Sequence, residues 1–253
     1  MRHARRRPGP ASQPTYRSAD IRRISRNPPT VMHPTPALWS RPMQIAARTL
    51  MTPAIATLIL AAPAHAEQKT YPLSGFDSVR VSAAMNVVLK QGPYSVTVDE
   101  PDGDFSKAVI EVRGSTLVVT RKSQNGFTAK SLDYTVVVTA PNYAGISVSS
   151  ASSVEGKDLK LKDVSVDISS GARATLRGGC SALELDVSSG GRFDGDMLEC
   201  ATATVDASSG GGADAFASRS AKGDASSGGH IVFHGKPANV DKDVSSGGAI
   251  RVF

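Results

Sequence analysis

A carboxylate recurs at nearly constant spacing through the second half of this 253-residue chain. Each copy opens a hexapeptide D-x-S-S-G-G or D-x-S-S-G-A, and successive copies start 19, 20, 18 and 19 residues apart. The repeated carboxylates are Asp167, Asp186, Asp206, Asp224 and Asp243. If the copies stack, these charges form a ladder in which neighbours about 4 Å apart repel by roughly 1 kcal/mol in water. Some contact must offset that repulsion.

Two kinds of contact would stabilise such a ladder, and the sequence leaves both open. A cation such as Ca²⁺ would bridge carboxylate oxygens of adjacent copies. Alternatively, each Asp would accept hydrogen bonds from a nearby Ser hydroxyl or backbone N–H, as Asp does at turns. The Ca²⁺-binding nonapeptide G-G-x-G-x-D is absent from the sequence, which favours the hydrogen bonds. No cofactor and no dedicated metal centre are predicted.

The second serine of each hexapeptide is the other candidate for chemistry. These serines are Ser170, Ser189, Ser209, Ser227 and Ser246. We expect them to point inward at a corner of the backbone, where stacked hydroxyls would donate to one another. A serine nucleophile needs a neighbouring base, and none is evident, so a structural role is predicted.

One outward-facing group of charged residues is compatible with catalysis. Asp194 and Asp196 follow a corner glycine, and Arg192 and Arg173 are expected on neighbouring copies. Carboxylates and basic residues on one face are what a polysaccharide lyase or hydrolase needs. His230 and His234 lie too far apart on a strand to share a zinc ion, at roughly 13 Å.

The residues that position the carboxylates alternate as in a strand with one buried face. Leu183, Leu185 and Val187 alternate with polar residues around Asp186, and the following glycine is expected to supply the positive φ of a tight corner. A second short strand follows each corner, and no amphipathic helical run intervenes. The pattern predicts an all-β fold, a single-stranded right-handed parallel β-helix (a solenoid) with coils of about 19 residues.

The two ends of this β-helix are expected to differ. Residues 67–150 carry strand and turn signals without the hexapeptide, so we predict an irregular N-terminal cap of opening coils, followed by regular repeats in residues 151–253. The inward position before each Asp becomes Gly223 and finally Lys242 in the last two copies. The core therefore tapers, and Lys242 would guard the last coil against self-association.

The two cysteines, Cys180 and Cys200, are separated by 20 residues, which is one repeat. Strands of adjacent coils lie about 4.8 Å apart, within the Cα separation that a disulfide accepts. We predict a Cys180–Cys200 disulfide, with two small buried thiols as the alternative.

The basic character of the chain comes from its first part. Residues 1–66 contain 10 Arg and one acid, whereas residues 67–253 contain 19 Lys and Arg against 22 Asp and Glu. Residues 43–66 have the short basic, apolar and small-x-small regions of a signal peptide ending at Ala66. Residues 1–42 are predicted to be a disordered or over-extended N-terminus. The net negative exported part disfavours nucleic acid as a partner, and it has no apolar run of membrane-spanning length.

Several segments together resemble a known family. They are F-D-S-V-R-V-S from Phe76, L-K-Q-G from Leu89, Y-S-V-T-V from Tyr94, T-A-P from Thr139, and the Ser-Ser-Gly corners. Over about residues 71–253 the chain is similar to the bacterial GIN head domain, labelled a "putative auto-transporter adhesin". The resemblance implies an exported parallel β-helix without established biochemical function, and it supplies no catalytic residues.

The function predicted from the sequence is a non-enzymatic binding or scaffolding module, adhesin-like, in the bacterial envelope. The alternative is a carbohydrate-active β-helix enzyme, a lyase or hydrolase. The expected partner is an envelope protein or a glycan, and self-association is a further option. The expected location is the periplasm, with the cell surface or secretion as alternatives.

Overall fold

The computed structural model describes residues 67–101, 103–122 and 134–253. The predicted signal peptide at 43–66 and the predicted disordered or over-extended residues 1–42 lie outside these ranges. Within them the chain is all-β, with eighteen strands and one 3-10 turn at Phe105–Lys107. No helix among these residues has the length and apolarity of a membrane span.

The strands follow in chain order. They are β1 (Glu67–Tyr71), β2 (Ser78–Val81), β3 (Asn86–Gln91), β4 (Ser95–Glu100), β5 (Ala108–Arg113), β6 (Thr116–Arg121), β7 (Thr135–Ala140), β8 (Gly145–Val148), β9 (Ser153–Lys160), β10 (Asp163–Ile168), β11 (Arg173–Val187), β12 (Arg192–Gly195), β13 (Leu198–Ala207), β14 (Gly212–Phe216), β15 (Ser220–Ala225), β16 (His230–His234), β17 (Asn239–Val244) and β18 (Ala249–Val252).

Each coil contributes one strand to a first face and, after a corner, one strand to a second face. The first face stacks β6, β2, β8, β10, the C-terminal part of β11, that of β13, β15 and β17, all in parallel. The second face stacks β7, β3, β9, the N-terminal part of β11, β12, β14, β16 and β18, also in parallel. The predicted parallel β-helix is confirmed.

The opening coils do not stack in chain order. The coil β2–β3 lies between β8–β9 on one side and the later coil β6–β7 on the other. The chain reaches that outer coil through antiparallel pairs of β4 with β7 and of β5 with β6, and β1 pairs with β4. This antiparallel layer occupies one end of the stack, within residues 67–150, where the sequence predicts an irregular cap. The boundary with the regular repeats stays a prediction.

The core follows the predicted alternation and tapers as expected. Val166, Leu185 and Val205 are fully buried at the inward position before the ladder Asp, and each such side chain stabilises the fold by about 1.5–3 kcal/mol. At the equivalent Gly223 a Cβ would lie 3.0 Å from the Phe233 ring, because that ring fills the narrowing interior. Lys242 is exposed, as is the whole of β17.

The corners are type I′ turns, which explains why the same letters recur. In the corner after Val187, Ser189 and Gly190 have φ of 50° and 71°, and the Gly191 amide donates to the Ser188 carbonyl at 2.8 Å. Positive φ at both central residues defines this turn type. The Gly190 amide also donates to the Ser209 carbonyl of the next coil at 3.2 Å, so backbone hydrogen bonds join successive corners.

This turn corrects the prediction for the second serines. All five residues at this position, Ser170, Ser189, Ser209, Ser227 and Ser246, are exposed and do not point inward. The left-handed conformation begins at the serine, one residue before the glycine that was expected to supply it, and this interrupts the in-and-out alternation. The residue that turns inward is the second glycine, and its backbone packs closely against the preceding coil.

Candidate ligand-binding faces

The repeated carboxylates form the predicted ladder on the first face. Asp167 is the register partner of Asp186, which pairs with Asp206, and the series continues through Asp224 to Asp243. All five side chains are exposed. Parallel pairing without a register shift keeps them aligned, although the coils differ in length by one or two residues.

The contacts of this ladder are few in the part of the chain that the structure describes. Asp167 accepts a hydrogen bond from Ser147 Oγ at 3.2 Å, one coil before the first repeat. Neither the corner serines nor backbone amides donate to the other four carboxylates within residues 134–253. No group of three or more His, Cys, Asp or Glu side chains converges to hold a metal ion among the described residues. A cation shared along the ladder stays a prediction.

The middle of the ladder has altered acidity. Partial desolvation raises the pKa of the Asp186 carboxyl above its ordinary value, and the charges of Asp206, Asp167 and Glu184 raise it further. Because burial and the neighbouring carboxylates disfavour its ionised form, Asp186 binds a proton more readily than an isolated Asp does. A cationic ligand would relieve the same repulsion.

A shallow groove of about 330 Å³ lies beside the ladder on the first face. Its polar lining includes Asp163, Ser165, Glu184, Thr202 and Thr204. Outward residues of a strand alternate with inward ones. These acids and hydroxyls therefore occupy the two outward positions that precede the ladder Asp in each strand. The first face is therefore a surface of carboxylates and hydroxyls that repeat with each coil.

The second face brings together the charged residues that the sequence singled out. Arg173 and Arg192 are register partners, and Asp194 pairs with Thr175 on one side and with Asp214 on the other. Arg192 Nη1 lies 4.0 Å from Asp214 Oδ2. Coil stacking therefore confirms the predicted proximity of the two arginines, and it adds a carboxylate from the next coil.

The structure adds residues to this group that sequence reasoning missed. His234 Nε2 lies 3.7 Å from Asp214 Oδ1, although His234 showed no signal beyond an ordinary surface position. Asp214 lies on β14, between the strands β12 and β16 of the two neighbouring coils. Only the register of these strands shows that Asp214 belongs to this group of charged residues. The residue Arg177 acts on Asp194 electrostatically, and the period of the coils could have placed it there.

The half-buried Asp194 is the most perturbed carboxyl of this face. Desolvation raises its pKa first, followed by the charge of Asp196 and a hydrogen bond with it, whereas Arg177 lowers it. Asp214 contributes a smaller increase. A carboxyl with a raised pKa beside a second carboxyl is the minimum that general acid and base chemistry requires.

Comparisons with known proteins found one matching family model and similar solved structures. A family model described as "putative auto-transporter adhesin, head GIN domain" matches residues 75–237. Among solved structures, a "putative adhesin" from Bacteroides fragilis is similar with a TM-score of 0.59 at 16% identity, over 74% of this chain and 96% of that one. A "putative lipid binding protein" from Parabacteroides distasonis gives a TM-score of 0.46 at 17% identity, over 74% and 96%. No curated protein matches in sequence.

Proposed function

The chain belongs to the family described as "putative auto-transporter adhesin, head GIN domain", and we propose that it is an exported, non-enzymatic binding or scaffolding module of the bacterial envelope. Its partner is an envelope protein or glycan, and its location is the periplasm, with the cell surface or secretion as alternatives. The function is adhesin-like: the module holds a partner along its coils and does not transform it.

The observation that carries this proposal is the in-register ladder of five exposed carboxylates on the first face. Stacking repeats one charged group at a constant separation of about 4.8 Å, so an extended partner meets the same chemistry on every coil. Many weak contacts in a row give avidity that no single contact supplies. Catalysis needs the opposite arrangement, in which an acid and a base converge on one bond.

The test of binding compares two double variants of the full chain in cosedimentation with isolated envelopes of the native bacterium. Asp186→Asn with Asp206→Asn removes two adjacent charges of the ladder. Asp77→Asn with Glu199→Gln removes two exposed charges elsewhere. We expect the ladder variant to bind at least fivefold more weakly and the control to bind normally. Equal binding by both variants, or no binding by the unsubstituted chain, would contradict the proposal.

The location is tested separately by protease treatment of intact cells that carry an epitope tag after Phe253. A tag that is protected until the outer membrane is permeabilised supports the periplasm. Loss of the tag from intact cells supports the cell surface, and a tag that stays in the cytoplasmic fraction contradicts export.

A second candidate function, a carbohydrate-active enzyme, is favoured by one observation, the raised pKa of Asp194 beside Asp196. Asp194 would act as the acid beside Asp196, and Arg192 and Arg173 would bind the substrate. Release of reducing ends or unsaturated products from polysaccharides, abolished by Asp194→Asn and retained in Asp206→Asn, would establish it. Binding without product release from the same polysaccharides supports the non-enzymatic module.

A further inference from the structure

A groove crosses three coils of the second face, away from the acidic ladder. Its larger part, about 550 Å³, lies over β3 and β9, between Lys90 and Lys157. A smaller part, about 160 Å³, continues over β11 to Arg177. The two parts share Glu155 and Lys157 in their lining. The two parts therefore adjoin at β9 and follow each other along the direction in which the coils stack.

A β-bulge in β9 opens this groove. Gly156 pairs with Leu176, and Leu159 pairs with Gly178, so two residues of β9, Lys157 and Asp158, lie opposite Arg177 alone. Asp158 has a φ of 55°, which is the left-handed conformation of an extra residue in a bulge. The bulge interrupts the regular pairing of β9 with β11 at Lys157 and Asp158, which both line the larger part of the groove.

The side chain of Gln91 fixes the end of the groove. Its Nε2 donates to the carbonyls of Lys160 at 2.9 Å and Pro141 at 3.1 Å, and its Oε1 accepts from the Lys160 amide at 2.7 Å. One glutamine thus replaces backbone pairing between β3 and β9 just beyond the bulge. These three hydrogen bonds connect β3 with β9 and with the end of β7 at this end of the groove.

Three cations line the groove, one from each coil. Leu89 and Leu176 both pair with Gly156, so Lys90, Lys157 and Arg177, each the next residue along its strand, occupy adjacent coils. All three are exposed, and no carboxylate within the described ranges lies within ion-pairing distance of them, although Arg177 also interacts electrostatically with Asp194. Like charges on neighbouring coils repel, so an anion with a matching repeat would bind favourably.

The remaining lining of the groove fits a sugar better than a simple polyanion. Glu155 and Asp158 offer carboxylate acceptors, Thr175 offers a hydroxyl, and half-buried Val88 forms an apolar floor. Hydroxyl groups of a sugar donate to such carboxylates, whereas the apolar face of its ring packs on aliphatic side chains. A polyanion without hydroxyl groups would have no hydrogen to donate to Glu155 and Asp158.

We propose that the groove formed by Lys90, Lys157 and Arg177 binds an anionic polysaccharide, with one carboxylate-bearing sugar against each coil. This inference rests on the proposed binding function and names the class of glycan for it. The cations hold successive sugar carboxylates, with Arg177 able to make a bidentate contact. Glu155 and Asp158 accept hydrogen bonds from sugar hydroxyls, and the bulge keeps Lys157 within reach of the middle sugar.

The experiment measures binding of the full chain to a hexamer of galacturonate by calorimetry at two salt concentrations. Its matched neutral ligand is the methyl ester of the same hexamer. We expect Lys157→Gln and Arg177→Gln each to weaken binding at least fivefold, Arg177→Lys to weaken it less than Arg177→Gln, and added salt to weaken it in the unsubstituted chain. Lys222→Gln, which removes an exposed cation of the first face, should leave binding unchanged. Melting curves check that each surface variant is folded.

Failure of the hexamer to bind would overturn the proposal, and four other outcomes would do so as well. They are equal binding of the ester and the acid, equal loss in Lys222→Gln and Lys157→Gln, equal affinity for monomeric galacturonate and the hexamer, and concentration-dependent self-association that Lys157→Gln abolishes. The last would mean that the ladder of a second copy occupies the groove. Envelope binding without binding of the hexamer would refute only this inference, whereas the reverse would refute only the envelope role.

Discussion

Cys180 and Cys200 are register partners in adjacent coils, with their Cα atoms 4.4 Å apart, and a disulfide joins them. The bond lies on a short third face, where residues after Gly178 in β11 pair with the start of β13. It covalently closes one complete coil. This confirms the pairing predicted from a separation of one repeat.

Replacing both cysteines, as Cys180→Ala with Cys200→Ala, should reduce the free energy of unfolding by about 3 kcal/mol. The reason is that closing a loop of about 20 residues restricts the unfolded chain. Chemical denaturation of the variant and of the unsubstituted protein, with and without reductant, measures the difference. The reductant should have little effect on the variant. Two free thiols in the non-reduced, denatured protein would contradict the bond.

The two glycines of one corner should differ in their tolerance of alanine. At Gly210, with a φ of 74°, no atom lies near an added Cβ, so Gly210→Ala should cost about 1 kcal/mol for the left-handed backbone alone. At Gly211 an added Cβ would lie 2.4 Å from the Val187 carbonyl oxygen of the preceding coil. Gly211→Ala should therefore reduce the free energy of unfolding by clearly more than Gly210→Ala does. Denaturation midpoints of both variants test this, and an equal cost would mean that the coils can separate locally.

The ladder should make the stability of the protein depend on pH around Asp186. Its pKa in the folded state is raised above the ordinary 3.8, so the folded protein holds this proton more tightly than the unfolded chain does. The contribution is fully present below pH 3.8 and is lost as the pH rises through the raised pKa. Asp186→Asn should match the unsubstituted protein at low pH and be more stable at pH 7, by about 0.5 kcal/mol for an exposed group.

The control for this titration is Asp77→Asn, which removes an exposed carboxylate outside the ladder. Thermal melting should show that the stability of Asp186→Asn relative to the unsubstituted protein increases with pH. The same comparison for Asp77→Asn should show no such increase. An Asp186→Asn variant that is less stable at pH 7 would indicate that this carboxylate makes a favourable contact in solution, with a bound cation as the first candidate.

Replacing Lys242 in strand β17 should cause the protein to self-associate. Strand β17 pairs with β15 alone among the described residues and exposes Val240 and Val244 beside Lys242. Lys242→Val would create a continuous apolar edge, so we expect dimers or larger species in light scattering. Lys222→Val, on the outward side of β15, is the matched control. A monodisperse Lys242→Val protein would show that Lys242 does not guard this end.

The sequence alone determined the repeating half of the fold. The spacing of Asp167, Asp186 and their equivalents predicted the parallel coils, the outward ladder and the disulfide, because parallel stacking at nearly constant coil length converts one period of sequence into one step in space. The recurring Ser-Ser-Gly-Gly residues similarly indicated the positions of the corners. They did not reveal that positive φ starts at the serine, since serine has no strong preference for that conformation.

Tertiary structure decided what depends on contacts between segments that share no repeat. The coil β6–β7 stacks outside β2–β3, and local residue preferences do not specify such an order. The Asp158 bulge and the Gln91 contacts shape the groove of the second face, because a register shift moves side chains relative to the neighbouring strand without leaving a mark in the hydrophobic pattern. The ladder could thus be predicted from its period, whereas the groove required the three-dimensional register.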